Sequence, residues 1–253
     1  MLNLIKAELY RTFRRKYTLV LLLGGAACAI LVPLLFVSMR VTGVIAPETS
    51  ASELVPICLA PLCTFAYFGI CMLVDCVFSD EYKHTTLKNT VSYGVTRTRI
   101  YFAKLAAELV LALLEMVAVV GVFCVSCYLF LGTGTPEAFE LGLRLSLQKV
   151  AQVFPIWLAG LAIANVFYFL TRGSAAVLGY LGVTLFIPVV ISQFLTQAYV
   201  WAQKLVPYLM FTHIGTRPDF PEFRLDIPWI IGPVWMAVAV FAGFVLFRRK
   251  EIK

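Results

Sequence analysis

The chain is 253 residues long, 61% apolar and 14% charged, with a formal net charge of +7 at neutral pH. Soluble proteins carry roughly 25% charged residues, so this balance excludes both a soluble globular enzyme and a disordered chain. Its long unbroken apolar runs also exclude an outer-membrane barrel, whose strands alternate over about ten residues.

Six stretches of at least 21 residues hold no charge: Tyr17–Met39, Leu54–Val74, Met116–Pro136, Val150–Thr171, Gly173–Gln203 and Ile227–Phe247. About 20 apolar residues cross a bilayer as a helix, and a helix satisfies its own backbone polar groups there. The sequence therefore predicts an all-α, polytopic membrane protein forming one transmembrane domain over residues 1–253. Its six transmembrane helices are expected at 17–39, 54–78, 103–131, 150–170, 175–196 and 228–247. So little chain remains outside the spans that function must lie in the membrane or in the short segments beside it.

Residues 1–16 form a basic amphipathic segment, with Leu2, Ile5, Leu9 and Phe13 at helical spacing and Lys6, Arg11, Arg14 and Arg15 largely on other faces. This pattern predicts an interfacial helix in the headgroup layer, with membrane lipid as its partner. The alternative is a plain topology anchor. Gly25-Ala26-Ala27-Cys28 faintly resembles a lipoprotein processing site. The apolar run continues to Phe36 and five further spans follow, which predicts a retained first helix.

A short loop with Gly43 and Pro47 leads to the second span, where Pro56 and Pro61 predict kinking. A polar cytoplasmic loop over 79–102 follows, then a third span longer than a bilayer requires. After a turn at Gly132–Pro136 comes an amphipathic stretch, Ala138–Lys149, and the fourth span. Thr171-Arg172-Gly173-Ser174 forms a tight hairpin into the fifth. Residues 197–227 make an outer segment rich in aromatic residues, as an interfacial layer is.

Fifteen cations fall at the N-terminus, in the 79–102 loop and its exit at Lys104, at Arg172 and in the tail; six (Arg40, Arg144, Lys149, Lys204, Arg217, Arg224) fall on the other side. The positive-inside rule then puts both termini in the cytoplasm. The positive charge is thus topological, and no nucleic-acid partner is expected. All seven cysteines lie within or at the edge of spans, where small apolar packing is their ordinary role. Cys124 and Cys127 form a CxxC without a nearby histidine, and His84 and His213 stand apart, so no metal site is expected.

Inside the spans, Glu108 and Glu115 are two turns apart on one face of the third helix. Lys104 is four residues before Glu108, a spacing that allows the two to pair near the inner interface. Glu115 lacks such a partner, and a lone carboxylate there is costly. Protonation, a partner across the bundle and a polar passage all remain open for it. Asn165 and Gln193 suit hydrogen bonds between helices, and Asp75 suits the interface.

The 79–102 loop is the most polar part of the chain. Ser79 before Asp80 and Glu81 predicts an N-capped helix starting there. Tyr82, Leu87 and Val91 supply a small apolar docking face, Tyr93-Gly94 a turn, and Arg97 and Arg99 a basic exit. A short helix of this kind suits a groove on a cytoplasmic partner.

These residues carry a resemblance. Glu81-Tyr82-x-x-Thr85-Thr86-Leu87-Lys88-Asn89, followed by Ser92-Tyr93-Gly94-Val95-Thr96-Arg97-Thr98-Arg99-Ile100-Tyr101 and Lys104, resembles the coupling segment of ABC-2 type transporter permeases. The closer likeness is to the small bacterial permeases linked to bacitracin export and lantibiotic self-protection. Thr85 stands where that group usually has glycine. The resemblance extends over the whole layout, from basic N-terminus to basic tail.

It implies a permease subunit in a bacterial plasma membrane, paired with a second copy or a sister permease and with a cytoplasmic ABC ATP-binding subunit. Asp80, Glu81, Tyr82, Thr86, Leu87, Lys88, Tyr93, Gly94, Arg97 and Arg99 would be the coupling residues. The chain lacks a Gly-x-x-x-x-Gly-Lys-Ser/Thr loop, so no cofactor is expected in it, and ATP with magnesium belongs to the partner. No catalytic residue is expected. The implied cargo is amphipathic or peptide-antibiotic-like. The rivals are a proton-coupled transporter using Glu108 and Glu115, a non-transporting immunity or sensor subunit, and an intramembrane enzyme. The last would need clustered histidines and acids that the spans do not contain.

Overall fold

The computed structural model describes residues 1–84, 92, 94–171, 174–195, 197, 199–215 and 223–249, with backbone alone at 79–84, 174, 195, 202 and 249. Among the described residues there is no strand. Among the described residues, six helices are long and apolar enough to cross a membrane.

The N-terminal helix α1 (Leu2–Phe13) ends at Arg14, and α2 (Lys16–Val41) starts after one extended residue, Arg15. α3 (Ala51–His84) and α4 (Arg97–Leu131) follow. The turn after α4 needs a left-handed backbone at Gly132 (φ 78°) and Gly134 (φ 74°), which glycine adopts without strain. Thr135 then caps α5 (Pro136–Leu170): its hydroxyl accepts from the Ala138 N–H at 3.3 Å, and Pro136 occupies a first-turn position that needs no donor. The turn is tied to the start of α3 by Ala51 N–H to the Gly132 carbonyl (3.0 Å) and by the Ser52 hydroxyl to the Thr133 carbonyl (2.5 Å).

The fifth span is broken into pieces: α6 (Ser174–Leu181), a π turn (Gly182–Phe186), α7 (Ile187–Val190) and a second π turn (Ile191–Leu195). Pro188 has no N–H for the carbonyl one turn before it, so the regular ladder is interrupted there. Short helices α8 (Val200–Leu205) and α9 (Met210–Gly215) follow, α9 packing against α3 and α5, and α10 (Asp226–Arg249) comes last.

Two expectations change. No new helix begins at Ser79: α3 continues through Asp80 and Glu81 to His84, since neither glycine nor proline interrupts it there. The stretch 138–149 is the opening of α5 and not a separate outer element. Pro56 and Pro61 lie inside α3 without ending it.

α5 is the axis of the fold. α3 and α10 both pack against it, while α2 and α1 lie against α4. In a bilayer, helices associate by close packing, which favours small residues at the contact. A Cβ on Gly232 of α10 would come within 2.7 Å of the Pro155 backbone on α5. On Gly160 it would come within 2.6 Å of the Tyr67 ring of α3. Tyr67, Tyr180, Ile70 and Ile156 fill the core there, and the Tyr180 hydroxyl donates to the Tyr67 carbonyl at 2.7 Å.

Candidate functional site

At the end of the bundle that carries α1, polar side chains turn inward. Glu8 and Thr12, rather than the apolar stripe of α1, are its buried residues, and Leu2 is exposed. Glu8 is the single acid in residues 1–47. It pairs with Arg11 on its own helix and with Lys104 of α4, Nζ to Oε2 at 3.4 Å. Lys104 is 1% exposed, and its ammonium also lies 5.0 Å from the centroid of the Phe78 ring of α3. Two residues past α1, the Arg15 guanidinium donates to the Cys76 carbonyl. Sequence, backbone and charge thus join α1, α3 and α4 at one point.

The pairing of Lys104 with Glu108 that their spacing allows does not occur. Lys104 leans to Glu8, and Glu108, fully buried one turn deeper, accepts from Asn165 Nδ2 of α5 at 2.5 Å. Asn165 also donates to the Leu161 carbonyl of its own helix. Glu108 Oε1 is buried without a partner among the described residues.

Of the expected coupling residues, Asp80, Glu81 and Tyr82 sit on the last turns of α3, where only the backbone is described. Thr86, Leu87, Lys88 and Tyr93 lie outside the described residues. Gly94 has φ 80°, a turn conformation. Arg97 opens α4 and its Nη1 donates to the Arg248 carbonyl of α10 at 2.9 Å, while Arg99 is exposed. Tyr101, one turn on, donates to the Val240 carbonyl of α10 at 3.0 Å.

Glu115 lies two turns from Glu108, half-buried, and its Oε2 meets no partner among the described residues. Gln193 is exposed on the second π turn. Among the described residues, no group of three His, Cys, Asp or Glu is placed to hold a metal ion.

A second polar cluster, absent from the sequence reading, sits at the opposite end. Lys149 of α5 is fully buried and donates to Gln152 Oε1 (2.9 Å) and to the His213 carbonyl of α9 (2.9 Å). Gln152 Nε2 donates to the Arg224 carbonyl (3.1 Å), and Trp229 Nε1 to the Ala151 carbonyl (3.1 Å). His213 Nε2–H donates to the Pro207 carbonyl (2.6 Å). Burial holds the His213 imidazole below its ordinary pKa, with the Pro207 hydrogen bond acting against that. Lys149 and Gln152, a polar pair one turn apart opening an uncharged run, were the available signal.

The family model described as ABC-2 family transporter protein matches residues 4–189 of this sequence. The chain belongs to that family. The matched region runs from α1 to α7 and contains the Glu8–Lys104 junction, Glu108, Glu115 and Asn165. None of the curated proteins compared matches the chain. An ABC-2 permease is a multi-pass membrane component that generally works with a cytoplasmic ATP-binding subunit.

Proposed function

We propose that the chain is the membrane-spanning permease subunit of an ATP-driven ABC-2 exporter in a bacterial plasma membrane, with both termini cytoplasmic. Its cargo is an amphipathic, peptide-antibiotic-like molecule, and a second permease completes the pathway. The observation that carries this reading is the Glu8–Lys104 junction. It ties α1 to α4 beside the segment whose sequence resembles a coupling helix, and Arg15 ties the same linker to α3. A push delivered to residues 79–102 reaches α3 and α4 directly and draws α1 with them. Asp80, Glu81, Tyr82, Thr86, Leu87, Lys88, Tyr93, Gly94, Arg97 and Arg99 form the surface that receives it. The apolar stripe of α1, left half-exposed by the protein, rests in the headgroup layer.

The test is gentle solubilisation of the tagged chain followed by identification of what copurifies, and uptake of labelled bacitracin into inside-out vesicles. A stoichiometric partner with a phosphate-binding loop, and uptake that requires ATP, are the expected results. Uptake driven by a proton gradient without ATP would overturn the reading.

A further inference from the structure

Between α2, α3, α4, α5 and α6 lies a cavity of about 510 Å³. Small-molecule pockets fall in the range of roughly 300–1,000 Å³, so it is large enough for a ligand. The side chains of Phe65, Phe68 and Trp157 are part of its apolar wall. The charged lining residue is Glu115, whose Oε2 is buried without a partner among the described residues. The cavity reaches the side of the bundle at Phe65 and Met72, which are 76% and 51% exposed.

We propose that this cavity binds a lipophilic cation, with the Glu115 carboxylate as its counter-charge. A neutral apolar guest leaves the carboxylate unanswered, and an anion is repelled by it. A cation carried on an apolar body satisfies both the wall and the acid. α2 is cut back to make room: a Cβ at Gly25 would collide with Glu115 Oε1 and press on Val119. Entry from the lipid phase at Phe65 and Met72 suits a guest that partitions into membranes.

The experiment is equilibrium binding of radiolabelled tetraphenylphosphonium to the full chain in nanodiscs, corrected for empty discs. Tetraphenylborate and tetraphenylmethane, of the same shape but opposite or no charge, serve as competitors. The expected result is one saturable site that the cation fills far more tightly than either competitor. Glu115→Gln should weaken cation binding by about tenfold or more, because it removes the countercharge in an apolar setting. Gly69→Leu should weaken all three guests: Gly69 lines the cavity and a Cβ there meets nothing within 4 Å. Gly25→Ala keeps the acid but displaces it, and should also weaken the cation selectively. Equal binding of the three guests, as for a cavity that simply holds acyl chains, would overturn the proposal. So would unchanged cation affinity in Glu115→Gln, or the absence of a saturable site in the unmodified chain. Binding is read without ATP or a partner subunit, so it stands or falls independently of the transport reading.

Discussion

Lys104 of α4 and Glu8 of α1 meet with Nζ 3.4 Å from Oε2, both side chains withdrawn from solvent, although 96 positions separate them in sequence. Local pattern places Lys104 one helical turn from Glu108, yet the cation chooses the N-terminal helix. Glu108 already has the Asn165 amide, so each acid of the region is met by a donor from a different helix.

Glu8→Ala should therefore cost about 2 kcal/mol, below the 3–5 usual for breaking a buried pair because Lys104 keeps the Phe78 ring. The double variant Glu8→Ala/Lys104→Met should recover most of the loss. Thermal unfolding of the purified chain measures both; equal midpoints for wild type and Glu8→Ala would mean α1 is not held at this point.

Gly232→Ala should destabilise by roughly 1–3 kcal/mol, since the new methyl group falls on the Pro155 backbone, which has no rotamer to yield. Gly24→Ala, where a Cβ meets nothing within 4 Å, should be nearly neutral and is the control. Denaturant unfolding in mixed micelles separates the two.

In the proposed coupling surface, Glu81→Ala and Leu87→Asp should abolish ATP-driven transport while the purified chain keeps its melting temperature. Parallel assays of ATP hydrolysis and vesicle uptake are the measurement. Full uptake in both variants would remove the segment from the mechanism.

Acidification should loosen the cluster around His213. Burial lowers the imidazole's pKa in the folded chain relative to its ordinary 6.5. Below about pH 6.5 the unfolded or detached segment therefore binds more protons than the folded one. The associated stability is present above pH 6.5 and is lost as pH falls from there toward the depressed folded value. Lys149 and Arg224 face the ring and oppose its protonation, while Asp226 favours it. Unfolding midpoints at pH 7.5 and 5.5 should differ more in the wild type than in His213→Gln.

How much of this was legible beforehand follows from the range of each interaction. Uncharged runs report burial in lipid directly, so the six spanning helices could be read without any partner information. Gly132 and Pro136 likewise announced their turn through local backbone preference. Lys104 could not be placed the same way, because helical spacing names the neighbours a side chain can reach on its own helix and is silent on those across the bundle. Lys149, counted only as a topological charge, is buried because α9 folds back to offer a carbonyl. The restart expected at Ser79 failed for a related reason: a serine followed by acids favours a helix start only where the preceding chain is not already helical. The coupling residues Thr86, Leu87, Lys88 and Tyr93 lie outside the described residues.

α4 and α5 each contain 35 residues in one helical stretch. At 1.5 Å per residue such a rod is about 52 Å long, against roughly 30 Å of hydrocarbon. About 20 Å of each must stand clear of the acyl chains or be taken up by tilt. A stiff rod of this length works as a lever: a rotation of about 5° about one end sweeps the other by about 4–5 Å, close to one helical turn. In the proposed coupling, a turn of α4 about its Arg97 end would carry its Gly132 end sideways by several ångströms without the helix bending.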